Sequence, residues 1–193
     1  MTKDQRYEAV QLLEFVAFPK ISRLSRDMII SEKIDGTNGC ICIGENGEFF
    51  VGSRTRWLSF ETGDNHGFLL WALTNKEDLL RLGPGKHFGE WWGSGIQRGY
   101  GLVKGEKRFS LFNVHRWADD TVRPACCSVV PELWRGIFNT QDANECLDSL
   151  RRNGSKANPG FYDPEGIIIY HSAGNVYFKK TIERDEVPKR RGL

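Results

Sequence analysis

Two segments near opposite ends of this 193-residue chain carry the pattern of antiparallel β-hairpins. Residues 40–43 and 48–51 are short and mostly apolar, and the Asn46-Gly47 dipeptide between them suits a tight hairpin turn. Residues 166–170 and 176–181 are rich in β-branched and aromatic side chains and are joined by Ser-Ala-Gly-Asn. Strands near both ends with helical segments between them predict an α+β protein of mainly antiparallel sheets flanked by helices.

The segments between the hairpins carry helical patterns. Residues 68–74 and 76–82 are helix-like, residues 141–151 place apolar side chains at helical spacing, and residues 4–14 are a further helix candidate. Residues 109–114 are apolar enough for a strand.

The chain has neither an internal repeat nor a Pro/Ser-rich linker. We therefore predict one domain over residues 1–184 and a polar tail over 185–193 that frays.

Charge excludes one class of function. With 27 Lys+Arg against 25 Asp+Glu, the net charge is +2, too small for a protein that binds nucleic acid by charge excess alone. The charge is uneven, because residues 27–64 hold three basic and seven acidic side chains, whereas residues 81–116 hold seven basic and two acidic ones. Solvated faces of opposite sign explain this as well as a nucleic-acid surface does.

Five cysteines without a CxxC pair are typical of reduced thiols rather than of a zinc site. No apolar run reaches the roughly 18 residues of a membrane span, and the start of the sequence lacks the pattern of a signal peptide. We expect a cytoplasmic protein with no membrane partner.

The sharpest local feature is Ser-Glu-Lys-Ile-Asp-Gly-Thr-Asn-Gly over residues 31–39. Lys33 ends a short apolar segment, and the loop that follows turns tightly and offers backbone N–H groups to an anion. A lysine so placed acts as a nucleophile where burial or neighbouring cations favour its neutral form. The alternative is an ordinary turn with a surface lysine.

Five short motifs follow in order: Ser53-Arg54, Phe88-Gly89-Glu90-Trp91, residues 109–114, Glu165-Gly166 and Lys179-Lys180. With Lys-Ile-Asp-Gly they make the sequence resemble the covalent nucleotidyltransferases, which comprise ATP-dependent ligases and mRNA capping enzymes. Within that superfamily the chain is similar to the RNA ligases that seal nicks in duplex RNA. Glu32, Asn38 and residues 89–97 carry this closer resemblance.

The resemblance implies an adenylyltransferase core of the ATP-grasp-like ligase kind, with ATP and Mg²⁺ (or Mn²⁺) as cofactors. Lys33 would attack the α-phosphate of ATP and form lysyl-AMP. Lys179 and Lys180 would counter the phosphate charge, and because adjacent strand residues face opposite ways, one of the two is expected to face the site.

The remaining implied roles concern the nucleotide and its metal. Arg54 would hold a ribose or phosphate oxygen, Glu90 the ribose or a metal, and Glu165 a metal. Phe112 would stack on adenine and Glu32 would read its amino edge; taken alone, a strand phenylalanine is more often a core residue. The predicted nucleotide-binding set also includes Ile34, Asp35 and Asn38.

A glycine-rich basic segment follows the Glu90 motif. We predict that it tracks a phosphate backbone, with Tyr100 against a base or sugar; a solvated turn is the alternative. Its candidate residues are Arg98, Tyr100, Lys104, Lys107 and Arg108.

These expectations define an ATP-dependent RNA ligase that adenylylates a 5′-phosphate and joins it to a 3′-OH, with nicked duplex RNA as its substrate. Larger members of the family carry a C-terminal nucleic-acid-binding domain. One alternative is therefore an adenylyltransferase domain that needs a partner protein for sealing. The others are a DNA-nick ligase core and a non-catalytic nucleic-acid-binding relic.

Overall fold

The computed structural model describes residues 15–186, and in that part of the chain nine strands form two sheets. In chain order the strands are β1 (Asp27–Lys33), β2 (Thr37–Ile43), β3 (Phe49–Gly52), β4 (Gly85–Gly93), β5 (Lys107–Leu111), β6 (Cys127–Val129), β7 (Glu132–Ile137), β8 (Gly166–His171) and β9 (Val176–Thr181). The first sheet has the order β7-β1-β8-β9, and the second has the order β3-β2-β4-β5-β6. Every neighbouring pair is antiparallel except β5 and β6, so the predicted fold class is confirmed.

The helices are α1 (Phe68–Thr74), α2 (Lys76–Leu79), α3 (Val114–Trp117) and α4 (Thr140–Asn153), with 3₁₀ turns at Leu80–Leu82 and Gly99–Gly101. Both predicted hairpins are confirmed, as β2–β3 and β8–β9. The helices predicted over 68–74 and 141–151 are also confirmed, and the one over 76–82 divides into α2 and a 3₁₀ turn. The candidate helix over 4–14 lies outside the described residues, as does most of the predicted polar tail.

The strand predicted over 109–114 is wrong in its last residues. β5 ends at Leu111, and α3 begins at Val114. The side chain of Asn113 accepts a hydrogen bond from the backbone N–H of Arg116 at 3.0 Å. Asparagine is a preferred N-cap residue, and its local hydrogen bond competes with continuation of the strand.

Helix α4 covers one face of the first sheet. Met28 and Ile30 of β1 and Ile167 of β8 are buried there against α4, together with Leu147 and Leu150 of that helix. Because strand side chains alternate, Ile29, Ser31 and Lys33 point to the opposite face. Lys33 therefore ends β1 on the face that α4 leaves uncovered.

Helix α1 covers one face of the second sheet in the same way. Phe68 of α1 packs with Trp91 of β4 and Phe109 of β5 in the largest apolar cluster. Alternation then turns Glu90 and Trp92 to the opposite face. Trp92 belongs to a third cluster against which Ile29 of the first sheet packs. The uncovered faces of the two sheets thus meet, and the cleft between them holds Lys33 and Glu90.

Gly39 of β2 lies under the aromatic cluster and generates a stability prediction. A Cβ atom at this position would lie 2.5 Å from the Phe68 ring and 2.9 Å from the Phe109 ring. We expect Gly39→Ala to lower the free energy of unfolding by about 1–3 kcal/mol through overpacking, as measured by urea denaturation.

The matched control places the same substitution in a Phe68→Leu background. There the loss caused by Gly39→Ala is expected to be smaller, because the ring that clashes is gone. An equal loss in both backgrounds would contradict the packing explanation.

Candidate active site in the cleft between the sheets

Lys33 and Glu165 form the centre of the cleft. The Lys33 Nζ forms an ion pair with the Glu165 carboxylate, although 132 positions separate them in the sequence. Lys33 lies opposite Gly166 in the β1–β8 register, which brings the residue before β8 to the end of β1. The Lys33 side chain is 21% exposed and that of Glu165 only 7%, so the amine retains access to solvent and to a ligand.

Glu90 holds the loop that follows Lys33. Its two carboxylate oxygens accept hydrogen bonds from the Gly36 backbone N–H at 3.1 Å and from Asn38 Nδ2 at 2.9 Å. Burial raises the pKa of Glu90 to about 7, and the positive charge of Lys33 opposes part of that rise. Glu90 is therefore close enough to Lys33 for their charges to interact.

Gly36 is required by the close approach of this loop to β4. A Cβ atom at Gly36 would lie 2.4 Å from the Trp91 carbonyl oxygen and 2.8 Å from Trp92 Cβ. Backbone atoms of a sheet cannot move away to make room. The Asp-Gly pair of the motif thus has a steric reason within this fold.

Glu32 points away from the cleft, and the expectation that it reads the adenine amino edge is wrong for this arrangement. Its carboxylate is buried and accepts hydrogen bonds from Ser155 Oγ at 2.5 Å, the Lys156 N–H at 2.7 Å and the Ala157 N–H at 3.0 Å. Burial raises the pKa of Glu32 despite these donors. Adjacent residues of β1 face opposite ways, so Lys33 and Glu32 cannot both enter the cleft.

Tyr100 is fully buried, so the expectation that its ring contacts a base or sugar is also wrong. The ring packs against Trp92 and Phe161, with centroid separations of 5.3 and 4.6 Å. The apolar cluster that contains Tyr100 and Trp92 also buries the side chain of Ile34. The sequence pattern of a glycine-rich loop does not distinguish a buried tyrosine from an exposed one.

The other members of the basic segment differ in their surroundings. Lys107 donates a hydrogen bond to the His66 carbonyl oxygen at 2.8 Å, and Arg108 forms an ion pair with Glu106 at 2.5 Å. Lys104 is exposed in the loop before β5. Arg98 forms an ion pair with Asp35 of the nucleophile loop at 3.2 Å. Contact with a phosphate backbone stays a prediction for these residues.

The register of the β8–β9 hairpin separates the two terminal lysines. Lys179 lies opposite Ile168, which itself lies opposite Ser31, so Lys179 shares the sheet face of Lys33. Lys180 lies opposite Ile167 on the α4 face, and its Nζ is 4.0 Å from Asp185. Lys179 is therefore the lysine on the cleft side.

Phe112 follows β5 and is 39% exposed, so it is not a core residue. Its backbone N–H donates to the Phe88 carbonyl oxygen at 2.9 Å, and Phe88 is 51% exposed on the β4 face that also carries Glu90. Phe88 was not among the predicted site residues, although it stands two residues before Glu90 in the same motif. Arg54 lies exposed in the loop after β3.

The carboxylates of the cleft suit a hard cation. Glu165 and Glu90 are oxygen ligands of the kind that Mg²⁺ and Mn²⁺ accept, and Mg²⁺ usually keeps several waters. Within residues 15–186 no group of three or more His, Cys, Asp or Glu side chains could hold a metal ion. Any ion here would thus take few ligands from this part of the chain.

The raised pKa of Glu90 leads to a prediction about stability. Because the folded-state pKa of about 7 exceeds the ordinary value of 4.5, the folded state keeps a proton that the unfolded state loses between these values. The contribution of Glu90 to the stability of the ligand-free protein should therefore fall as pH rises from about 4.5 to 7 and then level off.

Glu90→Gln removes this titration and serves as the comparison. We expect its free energy of unfolding, relative to that of the parent, to increase by roughly 3 kcal/mol between pH 4 and 8 in urea denaturation. A difference that is independent of pH would contradict the raised pKa.

Known proteins resemble this chain in sequence and in fold. The RNA ligase family model matches residues 26–182, whereas curated protein sequences yield no match. A mutant of Naegleria gruberi RNA ligase solved with ATP and Mn has a TM-score of 0.62 at 22% identity over 83% of this chain and 51% of that one. The same ligase with PPi has a TM-score of 0.61 at 22% identity over 81% and 50%.

The chain thus spans about half the length of these solved ligases. Among the described residues no helix has the length and apolar character needed to cross a membrane. The family match covers both sheets and every motif from Lys33 to Lys180. This chain belongs to the RNA ligase family.

Proposed function

We propose that this chain is the adenylyltransferase core of an ATP-dependent RNA ligase. The observation that carries the proposal is the meeting of Lys33, Glu90 and Glu165 in one cleft, with Lys179 on the same sheet face as Lys33. Naegleria gruberi RNA ligase, which shares the fold, has been solved with ATP and Mn, with AMP and Mn, and with PPi. Nucleotide chemistry at a lysine is the reaction that this set of side chains serves best.

In the first step the Lys33 Nζ attacks the α-phosphorus of ATP. An N–P bond forms, the bond from the α-phosphorus to the bridging oxygen breaks, and pyrophosphate leaves with the electron pair. The Lys33 ammonium loses one proton before the attack and a second as the N–P bond forms, and the phosphoramidate keeps the third. Glu165, which holds Nζ in an ion pair, is the nearest group that can accept the first, and the second leaves with pyrophosphate. Lys179 would supply positive charge from the sheet face that also carries Lys33.

The later steps use the same phosphoramidate. A 5′-phosphate oxygen attacks the AMP phosphorus and frees Lys33, and a 3′-OH then attacks the activated 5′-phosphate and releases AMP. The cleft side chains that we assign to the nucleotide are Phe112, Phe88 and Glu90. Glu165 and Glu90 would hold Mg²⁺ or Mn²⁺, which would supply positive charge beside the phosphates.

The direct test is incubation of the full chain with ATP labelled in the AMP part and Mg²⁺, followed by denaturing electrophoresis. We expect covalent label on the parent, no label on Lys33→Ala, and loss of label on the parent when the metal is chelated. A Lys33→Ala protein that still gains covalent label would overturn the proposal. Lys20→Ala, a lysine in the segment before β1, is the matched control and should label as the parent does.

The two lysines of β9 provide a second test. Because Lys179 lies on the Lys33 face and Lys180 on the α4 face, Lys179→Ala should slow label formation by about 10- to 100-fold. Lys180→Ala should slow it by less than about threefold. The rates are measured under the same ATP and metal concentrations, and equal effects of the two substitutions would contradict the assignment by register.

Strand joining and the choice of nucleic acid depend on material outside the cleft. Strand joining either occurs in the chain alone or needs a partner protein that grips the nucleic acid. Sealing assays on nicked duplex RNA and nicked DNA separate the RNA ligase from the DNA-nick ligase and from the adenylyltransferase that needs a partner. Tight RNA binding without any lysyl-AMP would favour the non-catalytic relic.

The five free cysteines support the proposed cytoplasmic location.

A further inference from the structure

The loop between β4 and β5, residues 94–106, carries two side chains that bond the nucleophile loop and that the proposed chemistry does not use. These are Arg98 and Tyr100, and Tyr100 adopts a left-handed backbone conformation with φ of 50°. Such a conformation in a bulky residue costs on the order of 1–3 kcal/mol and persists only where the surroundings fix it. Here the contacts of Arg98 and Tyr100 fix the strained backbone conformation.

Tyr100 holds the backbone of the nucleophile loop on both sides of Ile34. Its hydroxyl accepts a hydrogen bond from the Asp35 N–H at 3.1 Å and lies 3.3 Å from the Lys33 carbonyl oxygen, to which it donates. The ring is buried, so water does not compete for these bonds. The backbone of the nucleophile is therefore fixed by a residue 67 positions away.

Arg98 connects the nucleophile loop to the segment that carries Glu165. Its Nε donates to Asp35 Oδ2 at 3.2 Å, and its Nη1 donates to Asp163 Oδ1 at 2.5 Å and to the Asp163 carbonyl oxygen at 3.2 Å. Asp35 lies two residues after Lys33, and Asp163 lies two residues before Glu165. One guanidinium thus spans the two chain segments whose side chains form the central ion pair.

The same segment is held at a second point. Asn158 Nδ2 donates to the Tyr100 carbonyl oxygen at 2.7 Å, and the Phe161 ring stacks on the Tyr100 ring. Neither Arg98 nor Tyr100 is among the groups that contact Lys33 Nζ or the Glu165 carboxylate. They are therefore placed to act on the reacting amine through the two chain segments that they bond.

We propose that Arg98 and Tyr100 are positioning residues that fix the distance between the backbones of Lys33 and Glu165. During the reaction the Lys33 amine must leave Glu165 for the α-phosphate, and a fixed backbone limits that movement to the side chain. Such preorganisation raises the rate of the step more than it changes ATP binding. The inference rests on the proposed function, because it concerns the same nucleophile.

The first experiment compares Tyr100→Phe with Tyr170→Phe in the full chain. The test variant keeps the ring packing and loses only the hydroxyl, whereas the control loses a tyrosine hydroxyl that bonds Asn175 at the β8–β9 turn. With labelled ATP, Tyr100→Phe should lower the maximal rate of lysyl-AMP formation at least tenfold and change the half-saturating ATP concentration by less than threefold. The control should match the parent in both quantities.

The second experiment tests the bridge made by Arg98. If Arg98 acts through Asp163, the Arg98→Ala and Asp163→Asn substitutions should not multiply, and the double variant should be about as slow as Arg98→Ala alone. Arg98→Lys should restore less than half of the lost rate, because an ammonium group cannot reach both carboxylates in a fork. Multiplying effects or full restoration by lysine would overturn the bridge.

A measurement without ATP separates this inference from the proposed function. Backbone hydrogen exchange over residues 33–36 should become at least tenfold faster in Tyr100→Phe and remain at the parental rate in Tyr170→Phe. If the parent forms no lysyl-AMP but the exchange rates differ as expected, the proposed function fails and the positioning contact stands. Unchanged exchange, an unchanged maximal rate, or a change confined to the half-saturating ATP concentration would overturn the positioning role.

Discussion

The ion pair between Lys33 and Glu165 sets the condition that the surrounding structure must meet. The Glu165 carboxylate is almost fully withdrawn from water and Lys33 is partly withdrawn. Such a pair is stable only when its geometry is held and the remaining polar atoms are bonded. Glu165 comes from the segment before β8 and Lys33 from the end of β1, so the register of these two strands determines whether the pair forms. Glu90 and Tyr100 then fix the loop that begins at Lys33.

Three buried glutamates, one of them Glu165 itself, have different surroundings and therefore different tasks. Glu90 bonds the nucleophile loop and has a pKa raised to about 7, Glu165 pairs with Lys33, and Glu32 bonds the loop at 155–157 behind the sheet. The same residue type thus holds the nucleophile loop at Glu90, pairs with a positive charge at Glu165 and stabilises a loop behind the sheet at Glu32. Strand alternation and strand register assign these tasks, because they decide which side of a sheet each carboxylate enters.

Much of the fold could be predicted from local patterns. Both hairpins, α1 and α4 lie where residue alternation, turn residues and helical spacing placed them. The strand over 109–114 was extended too far because apolar character does not reveal that Asn113 caps a helix. The parallel pairing of β5 with β6 also had no local signal, since a three-residue strand is defined mainly by its neighbour.

The sequence by itself determined the alternation of short strands and helices, the order of the motifs and the identity of the nucleophile candidate Lys33. These properties depend on residue type and spacing within a few positions of the chain. Only the tertiary structure decided that Tyr100 is buried, that Glu32 faces away from the cleft and that Lys179 rather than Lys180 shares the face of Lys33. Each of these outcomes depends on contacts between residues far apart in the sequence, and strand register and burial exist only once those segments have come together.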